Sequence, residues 1–385
     1  MNSPVETIFT QRRHEPGLQA QAMAEHNAAT QARILGVATA TTERCYTQRE
    51  LLDRFKITDR RIRSVFLNGG IEKRFLTLPE ASDAGPPVTE SQGELLGKHK
   101  AQAVAMGTRA VLSCCEQLGV SKDEIAYLCC VSTTGFLTPG LSAHISKALE
   151  LPRSCGRLDI VGMGCNAGLN ALNPVSNWAR VNPGKLAMML CVEVCSAAYV
   201  FDGSIETAVV NSLFGDGAAA LALMGGELGT AGQGDAGGGA PQIVKFFSCL
   251  IPDAIHAMRY DWDEEQGKFS FYLDRDVPYV VGAHAEHVIG NLLKDTGLRQ
   301  NDIAHWVVHS GGKKVIDSVR VNLGLTKDDV RHTMSVLADY GNLSSGSFLF
   351  SYQRLLAEGK VKRGDHGVFM TMGPGSTIES ALVRW

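Results

Sequence analysis

The segment Ile160-Val-Gly-Met-Gly-Cys165-Asn-Ala-Gly168-Leu-Asn-Ala-Leu172 constrains this chain more than any other. A β-branched pair ends a strand, a glycine-flanked cysteine follows, and a small-residue helix begins. The Cys165 thiol therefore stands where a strand hands over to a helix N-terminus. Unpaired N–H groups there favour negative charge, and with it the thiolate. Gly162, Gly164 and Gly168 permit a sharp turn and close approach of a substrate. The competing reading is a buried structural cysteine, the commoner fate of a lone Cys. The rest of the chain decides between the two.

With 385 residues, 44% hydrophobic and 20% charged, the chain can bury a large core. That length suits two or three domain-sized units or one double-sized fold. A net charge of -3 gives no electrostatic case for nucleic acid or an anionic membrane as partner. The ten cysteines form no C-x-x-C pattern; Cys114-Cys115 and Cys129-Cys130 are adjacent pairs in apolar runs. They read as reduced thiols of a cytosolic protein. No apolar run is long enough to span a bilayer, and Met1 to Gln31 lacks the apolar core of a signal peptide. The expectation is a cytoplasmic protein with a flexible extension over 1–31, in which Leu18 to Ala29 has a short helical pattern.

Along the chain, strand and helix patterns alternate. Ala32 to Ala38 reads as a strand. Thr47 opens a helix to Phe55, with Glu50 at capping-box spacing. A basic segment, Asp59-Arg60-Arg61-Ile62-Arg63, reads either as a solvated helix face or as a phosphate clamp. A helix spans Gly93 to Leu118, a buried strand Leu128 to Ser132, a helix Ser142 to Leu149, and an apolar strand Lys185 to Val194. Pro174 predicts a kink or early stop in the helix after Cys165. Ala218 to Met224 is a small-residue strand. The Gly-rich run from Gly232 to Gly239 reads as a connector, dividing the chain into 32–235 and 236–385. In the second part, strands are predicted at Gln242 to Leu250, Phe269 to Leu273, Ile303 to His309, Val368 to Met372 and Ser380 to Arg384. Helices fall at Tyr279 to Thr296, Lys314 to Leu323, Leu325 to Tyr340 and Gly346 to Glu358. This alternation argues an α/β fold with mostly parallel central strands.

Cys165, His309 and Asn342 each stand beside glycine at a strand-to-helix junction, where open α/β sheets bind ligands. Together they suit acyl transfer. A thiolate attacks a thioester and holds the acyl group. The imidazole pairs with the thiolate and lowers its pKa, and imidazole and amide N–H groups face a developing oxyanion. Papain-like hydrolysis uses the same three residue types, so the trio alone does not name a reaction.

The flanking motifs narrow the choice. Gly162-Met-Gly-Cys165-Asn-Ala-Gly168, Leu213-Phe214-Gly-Asp-Gly-Ala-Ala219, Trp306-Val-Val-His309-Ser-Gly-Gly312, Tyr340-Gly-Asn342-Leu-Ser-Ser345 and Gly373-Pro-Gly375 occur in one order. The set resembles the signature of the type III polyketide synthases, the chalcone-synthase-like branch of the thiolase fold, from about residue 32 to the C-terminus. Arg63-Ser-Val-Phe-Leu-Asn68, Arg74-Phe-Leu-Thr-Leu-Pro79, Thr134-Gly-Phe-Leu-Thr-Pro-Gly140 and Met258-Arg-Tyr-Asp-Trp262 point further. They resemble the bacterial branch that makes 3,5-dihydroxyphenylacetyl-CoA for antibiotic biosynthesis.

The resemblance implies a duplicated, layered αβαβα fold with mixed five-stranded sheets and a homodimer. Malonyl-CoA would be starter and extender, with no metal or organic cofactor, and enoyl-CoA-hydratase-like proteins would be companions. It implies Cys165 as nucleophile, and His309 and Asn342 as the pair that holds the malonyl carbonyl. It implies Phe214 as a gate, and Thr138, Ala198, Trp262, Phe271, Ser344 and the Gly373-Pro374-Gly375 loop as cavity residues. Thr138 stands where plant relatives place a Met that reaches into the partner's cavity. Trp262 would fill a wall that is open in chalcone-forming relatives, favouring a small starter. For the CoA phosphates the implied cations are Arg61, Arg63, Lys73, Lys313 and Lys314. Only Arg61 keeps a basic residue at a matching position, since Ser64 and Asn68 replace the plant cations. The alternatives within the fold are a type III synthase with another product, such as a pyrone or resorcinol, and a ketoacyl-synthase-like or hydroxymethylglutaryl-type enzyme. Outside this chemistry stand a non-catalytic thiolase-fold partner and a Cys protease.

Overall fold

A computed structural model describes residues 31–80, 90–226 and 239–385. The expected N-terminal helix and the boundary at 235/236 lie outside the described residues. The first part begins with β1 (Ala32–Ala40), the short β2 (Cys45–Thr47) and α1 (Gln48–Arg54). Thr47 and Glu50 form the predicted capping box. The basic segment folds as α2 (Arg60–Asn68), capped by Asp59, and β3 (Lys73–Phe75) returns to pair with β2. Then follow α3 (Gln92–Leu118), β4 (Ile125–Ser132), α4 (Leu141–Leu149), β5 (Gly156–Val161), α5 (Ala167–Val181), β6 (Leu186–Glu193), α6 (Ile205–Leu213) and β7 (Gly217–Gly225).

The second part supplies β8 (Gln242–Cys249), β9 (Met258–Asp263), β10 (Lys268–Leu273), α7 (Val277–Leu293) and β11 (Ile303–Val308). It ends with α8 (Lys313–Asn322), α9 (Arg331–Tyr340), α10 (Ser347–Ala357), β12 (His366–Gly373) and β13 (Thr377–Arg384). The β9–β10 hairpin was only half legible. Its first strand, Met-Arg-Tyr-Asp-Trp-Asp, carries charges on both sides of the aromatics and shows no clean apolar alternation.

The strands join in one mixed sheet of order β11-β12-β13-β8-β1-β7-β6-β4-β5. The first part contributes five of these strands and the second four, meeting through the single β1–β8 pair Arg33↔Gln242. Parallel pairs lie towards the outside, β4 with β5 and β6 in one part and β11 with β12 in the other. The inner pairs are antiparallel.

Strand alternation divides the interior into layers. Ala187, Met189 and Cys191 of β6 face a central core with Leu169, Leu172 and Val175 of α5 and Phe348, Leu349 and Tyr352 of α10. Met188, Leu190 and Val192 face the opposite way, onto α3 and α4. In the second part, Phe369 joins the central core, while Val368, Met370 and Met372 pack on α7 and α8. Both sheet faces are thus covered, which is why these strands read as unbroken apolar runs. The order of layers is helix, sheet, paired central helices, sheet, helix.

Pro174 did not end its helix, for α5 continues to Val181. The helix is packed between both sheet parts and α10, and that burial outweighs the roughly 3 kcal/mol that an interior proline costs. Among the described residues, no helix is long and apolar enough to cross a membrane.

Candidate active site

The turns that open the two central helices bring Cys165 and Asn342 together. Cys165 lies in a single 3-10 turn, Gly164–Asn166, between β5 and α5. Gly164 has φ +75, and a Cβ on it would stand 2.2 Å from Pro374 Cδ, so only glycine fits. A Cβ on Gly373 would stand 2.2 Å from Asn166 Oδ1 and 3.0 Å from Cys165 N. The Gly373-Pro374-Gly375 loop therefore packs directly on the cysteine turn, behind it rather than in the cavity.

Asn342 opens the corresponding turn before α10. It is buried, and its Oδ1 accepts the Ser344 N–H at 2.8 Å. This aims the amide nitrogen away from its own turn. The polar groups of Ser344 and Asn342 act on the Cys165 sulfur in the direction that favours its thiolate. His309 directly follows β11, is buried, and donates its backbone N–H to Met370 O of β12 at 2.9 Å. Strand β12 thus joins the two sites, running from the His309 contact to the Gly373 contact with the cysteine turn. Among the described residues, His309 Nδ1 is buried with no hydrogen-bond partner.

Burial governs the charges here. Desolvation pushes the Cys165 thiol up to about 12, against the smaller opposing effect of the Ser344 and Asn342 side chains. It lowers His309 to about 3. Burial therefore acts against the expected thiolate at a helix N-terminus. Both groups are neutral at pH 7, because removal from water outweighs the dipole of one helix end.

A narrow cavity opens at Cys165, lined by Thr133, Thr134, Gly164, Cys195, Ala198, Val210, Phe214, Tyr260, Phe271 and Ser344, with about 30 Å³ of free volume. Phe214 ends α6 and meets Phe271 edge to face, with centroids 5.7 Å apart. Phe214, Ala198, Phe271 and Ser344 thus stand where sequence expected them. Trp262 does not. It is 46% exposed and packs edge-on against Phe269 at 5.2 Å. Tyr260, two residues earlier, lines the cavity instead. Residues two apart share a strand face, so the expectation had the right face and the wrong repeat. Thr138 is exposed and outside this chain's own cavity.

Glu193 organises the wall and was missed from sequence. It is wholly buried and accepts the Thr133 N–H (3.0 Å), the Thr134 N–H (3.1 Å), the Ser344 hydroxyl (3.2 Å) and the Ser345 hydroxyl (2.6 Å). Burial still raises its pKa above the ordinary carboxylate value. One carboxyl thus ties the end of β4 to the Asn342 turn. The signal was available: an acid closing the otherwise apolar run Leu186–Glu193 has no reason to be there unless it is used.

The candidate phosphate cations occupy one mouth only in part. A Cβ on Gly70, just after α2, would stand 3.3 Å from the Lys313 side chain, so α2 and the start of α8 meet. Arg61 is 88% exposed, with Asp59 at 3.8 Å. Lys313 pairs with Asp317 at 3.2 Å, and Lys314 is exposed. Arg63 is turned inward, donating to Ile57 O at 3.0 Å, and Lys73 faces Asp339 at 3.9 Å.

Residues 19–227 match the N-terminal domain of chalcone and stilbene synthases, and 242–385 match the C-terminal domain. The chain is 60% identical to a 3,5-dihydroxyphenylacetyl-CoA synthase of Streptomyces toyocaensis over 92% of this chain and 90% of that one. It is 58% identical to one of Amycolatopsis orientalis over 92% and 93%. Among solved structures, PKS-I of the brown alga Ectocarpus siliculosus superposes with a TM-score of 0.82 at 27% identity, covering 92% of this chain and 98% of that one. Matched in both parts, this chain belongs to the chalcone and stilbene synthase family, the type III polyketide synthases.

Proposed function

We propose that this chain condenses malonyl-CoA with itself and closes the product to 3,5-dihydroxyphenylacetyl-CoA. The reading rests on the Cys165–Asn342–Ser344 cluster facing a narrow cavity, in a chain that aligns along its length with two bacterial synthases of that name. Cys165 takes the starter acyl group from its thioester and CoA leaves. A second malonyl-CoA binds with its thioester carbonyl oxygen towards His309 and Asn342. Loss of CO2 leaves an enolate, and the two N–H donors face its oxygen. The enolate carbon attacks the Cys165 thioester, the new C–C bond forms, and the thiolate is released. Four malonyl units lose four CO2 and three CoA, and ring closure with loss of one water gives the eight-carbon aromatic acyl group. Thioester activation and decarboxylation drive each step, so no metal or organic cofactor is required.

Tyr260 takes the role first given to Trp262. Its side chain narrows the cavity towards a small starter. Arg61, Lys313 and Lys314 are the cations best placed for the CoA phosphates, since all three are exposed on α2 and the start of α8, which meet, whereas Arg63 turns inward to Ile57 O. The working form is a cytoplasmic homodimer, with Thr138 facing the partner's cavity. Enoyl-CoA-hydratase-like companions speed the dehydration.

The test is mass analysis of products from purified protein and malonyl-CoA alone, then with such companions. The eight-carbon aromatic product, absent in Cys165→Ala while CO2 release remains measurable, is the expected result. A triketide pyrone as sole product under both conditions would overturn the product assignment, and full product from Cys165→Ala would overturn the nucleophile.

A further inference from the structure

Arg74 of β3 is the largest fully buried side chain described. Its guanidinium is spent on uncharged acceptors. Nη1 donates to the Tyr199 hydroxyl (2.7 Å), the Asn211 carbonyl (2.7 Å) and the Phe214 carbonyl (2.6 Å), and Nη2 donates to Gln48 Oε1 (2.8 Å). Tyr199 in turn donates to the same Phe214 carbonyl at 2.6 Å. Among the described residues no carboxylate hydrogen-bonds to Arg74. The buried Asp216 acts on it only through space and is occupied by Ser196 and Thr77.

Two functional segments converge on this group. Asn211 and Phe214 carry carbonyls at the C-terminal end of α6, where backbone acceptors lack helical partners and a cation is favoured. On the other flank, Gly341 has φ +70, and a Cβ on it would stand 2.8 Å from Arg74 Cδ and 2.5 Å from Leu213 O. The next residue is Asn342. Its N–H donates to Leu213 O at 2.9 Å, and its carbonyl accepts the Gly215 N–H at 2.9 Å. Leu213 to Gly215 and Asn342 therefore form one backbone bridge, with the arginine stem and fork packed against it.

Burying a guanidinium without an ion partner is costly, and an apolar side chain of similar volume would serve stability as well or better. What an apolar side chain cannot do is fix several carbonyls from one rigid plane. We propose that Arg74 is a positioning residue for the condensation: its fork sets the Phe214 backbone and, through the bridge, the Asn342 amide. One buried group then holds both the gate of the cavity and a donor to the substrate carbonyl. The inference rests on the roles given above to Phe214 and Asn342.

The test is a double-mutant cycle on malonyl-CoA decarboxylation, with thermal unfolding as the control for folding. Arg74→Lys keeps the charge and loses the fork. In a folded Arg74→Lys enzyme, kcat should fall about tenfold or more while KM for malonyl-CoA changes less than about threefold, because the CoA cations on α2 and α8 are untouched. Asn342→Ala is measured alone and combined with Arg74→Lys. If Arg74 acts through Asn342, the double variant is no slower than Asn342→Ala alone. Tyr199→Phe, which removes one of the two donors to Phe214 O, should move kcat the same way by less, and it carries the test should Arg74→Lys not fold. Wild-type kcat in folded Arg74→Lys, or losses that multiply in the double variant, would overturn the positioning role. Normal decarboxylation in Asn342→Ala would instead remove the reading of Asn342 on which the role depends, and that single variant tells the two failures apart.

Discussion

Replacing Gly168 by alanine sets two effects of opposite sign against each other. Gly168 is the second residue of α5, and alanine in a helix is favoured over glycine by at most about 1 kcal/mol. Judged by propensity alone, the variant is stabilised. Judged by space, it is not. The new Cβ would stand 2.3 Å from the Ser345 carbonyl oxygen, 2.9 Å from Phe348 Cε1 and 3.0 Å from Cys191 Sγ. Ordinary contact begins at 3.4 Å, so the closest pair must separate by about 1 Å. The oxygen belongs to backbone and cannot rotate aside. Overpacking of this kind costs about 1–3 kcal/mol, so packing wins and the net change is a loss of roughly 1 kcal/mol.

The same displacement has a larger effect on rate. Gly168 follows Cys165 on one central helix, and Ser345 follows Asn342 and Ser344 on the turn that opens the other. Moving them apart by 1 Å changes the spacing between nucleophile and oxyanion donor, and a misplacement of that size costs about a hundredfold. Differential scanning calorimetry and CO2 release from malonyl-CoA check the two halves. A Gly168→Ala enzyme that melts higher than the parent and turns over at the parental rate would refute the reasoning, because the helix term would then have won and the close approach would constrain nothing.

Asn342→Ala and His309→Ala should each slow malonyl-CoA decarboxylation by about a hundred- to a thousandfold, the cost of about 3–4 kcal/mol for one lost oxyanion donor, read as CO2 release. Tyr260→Ala should enlarge the cavity and shift the products detected by mass spectrometry towards longer chains or larger starters, whereas Trp262→Ala should leave them unchanged. Burial lowers His99 to about 4, so its unfolded form binds a proton first as pH falls below about 6.5. That group's contribution is intact above about 6.5 and is lost between there and about 4, at no more than about 1.4 kcal/mol per pH unit. Glu193, Asp216 and Glu379 have raised pKa values and act in the opposite sense, so the comparison must be with a variant. In urea titrations across that window, His99→Gln should lose less stability than the parent, and parallel curves would contradict the linkage.

What could be read from the sequence follows from where the information lies. Cys165, His309 and Asn342 announce themselves because each requires a local device, a glycine turn beside a strand or helix end, and local devices leave local motifs. The alternating cores were legible because burial on both faces imposes a composition. Trp262 was misplaced because a wall residue is fixed by strand register across a hairpin, and one repeat of two residues moves a side chain about 7 Å along the same face. Arg74 and Tyr260 sit inside segments that carry the family resemblance without showing what their side chains touch, and Glu193 sits in none. Some of their partners lie more than a hundred residues away, as Tyr199 does from Arg74 and Ser345 from Glu193, and only the folded chain brings them together.

The electrostatics of the site favour dipoles over charges. A thiol pushed up to about 12 and an imidazole lowered to about 3 are both neutral, and among the described residues His309 Nδ1 has no partner to hold a second proton. A protonated ring would leave a bare buried N–H on that side, so the neutral ring is favoured. Asn342 donates from an amide that is neutral at every pH. Neutral donors fixed in a dry site interact weakly with a ground-state carbonyl and strongly with an oxyanion, and they need not reorganise when charge appears. Creating the thiolate costs most when the site is empty and unpaired. Transfer of its proton to the imidazole would place opposite charges together in the low-dielectric interior, where their attraction offsets part of the desolvation. In the proposed mechanism Cys165 and His309 share a proton, and their titration then belongs to the pair. Replacing either residue should shift the pH dependence of alkylation or decarboxylation at the other, and an unchanged profile would mean that the two do not share a proton.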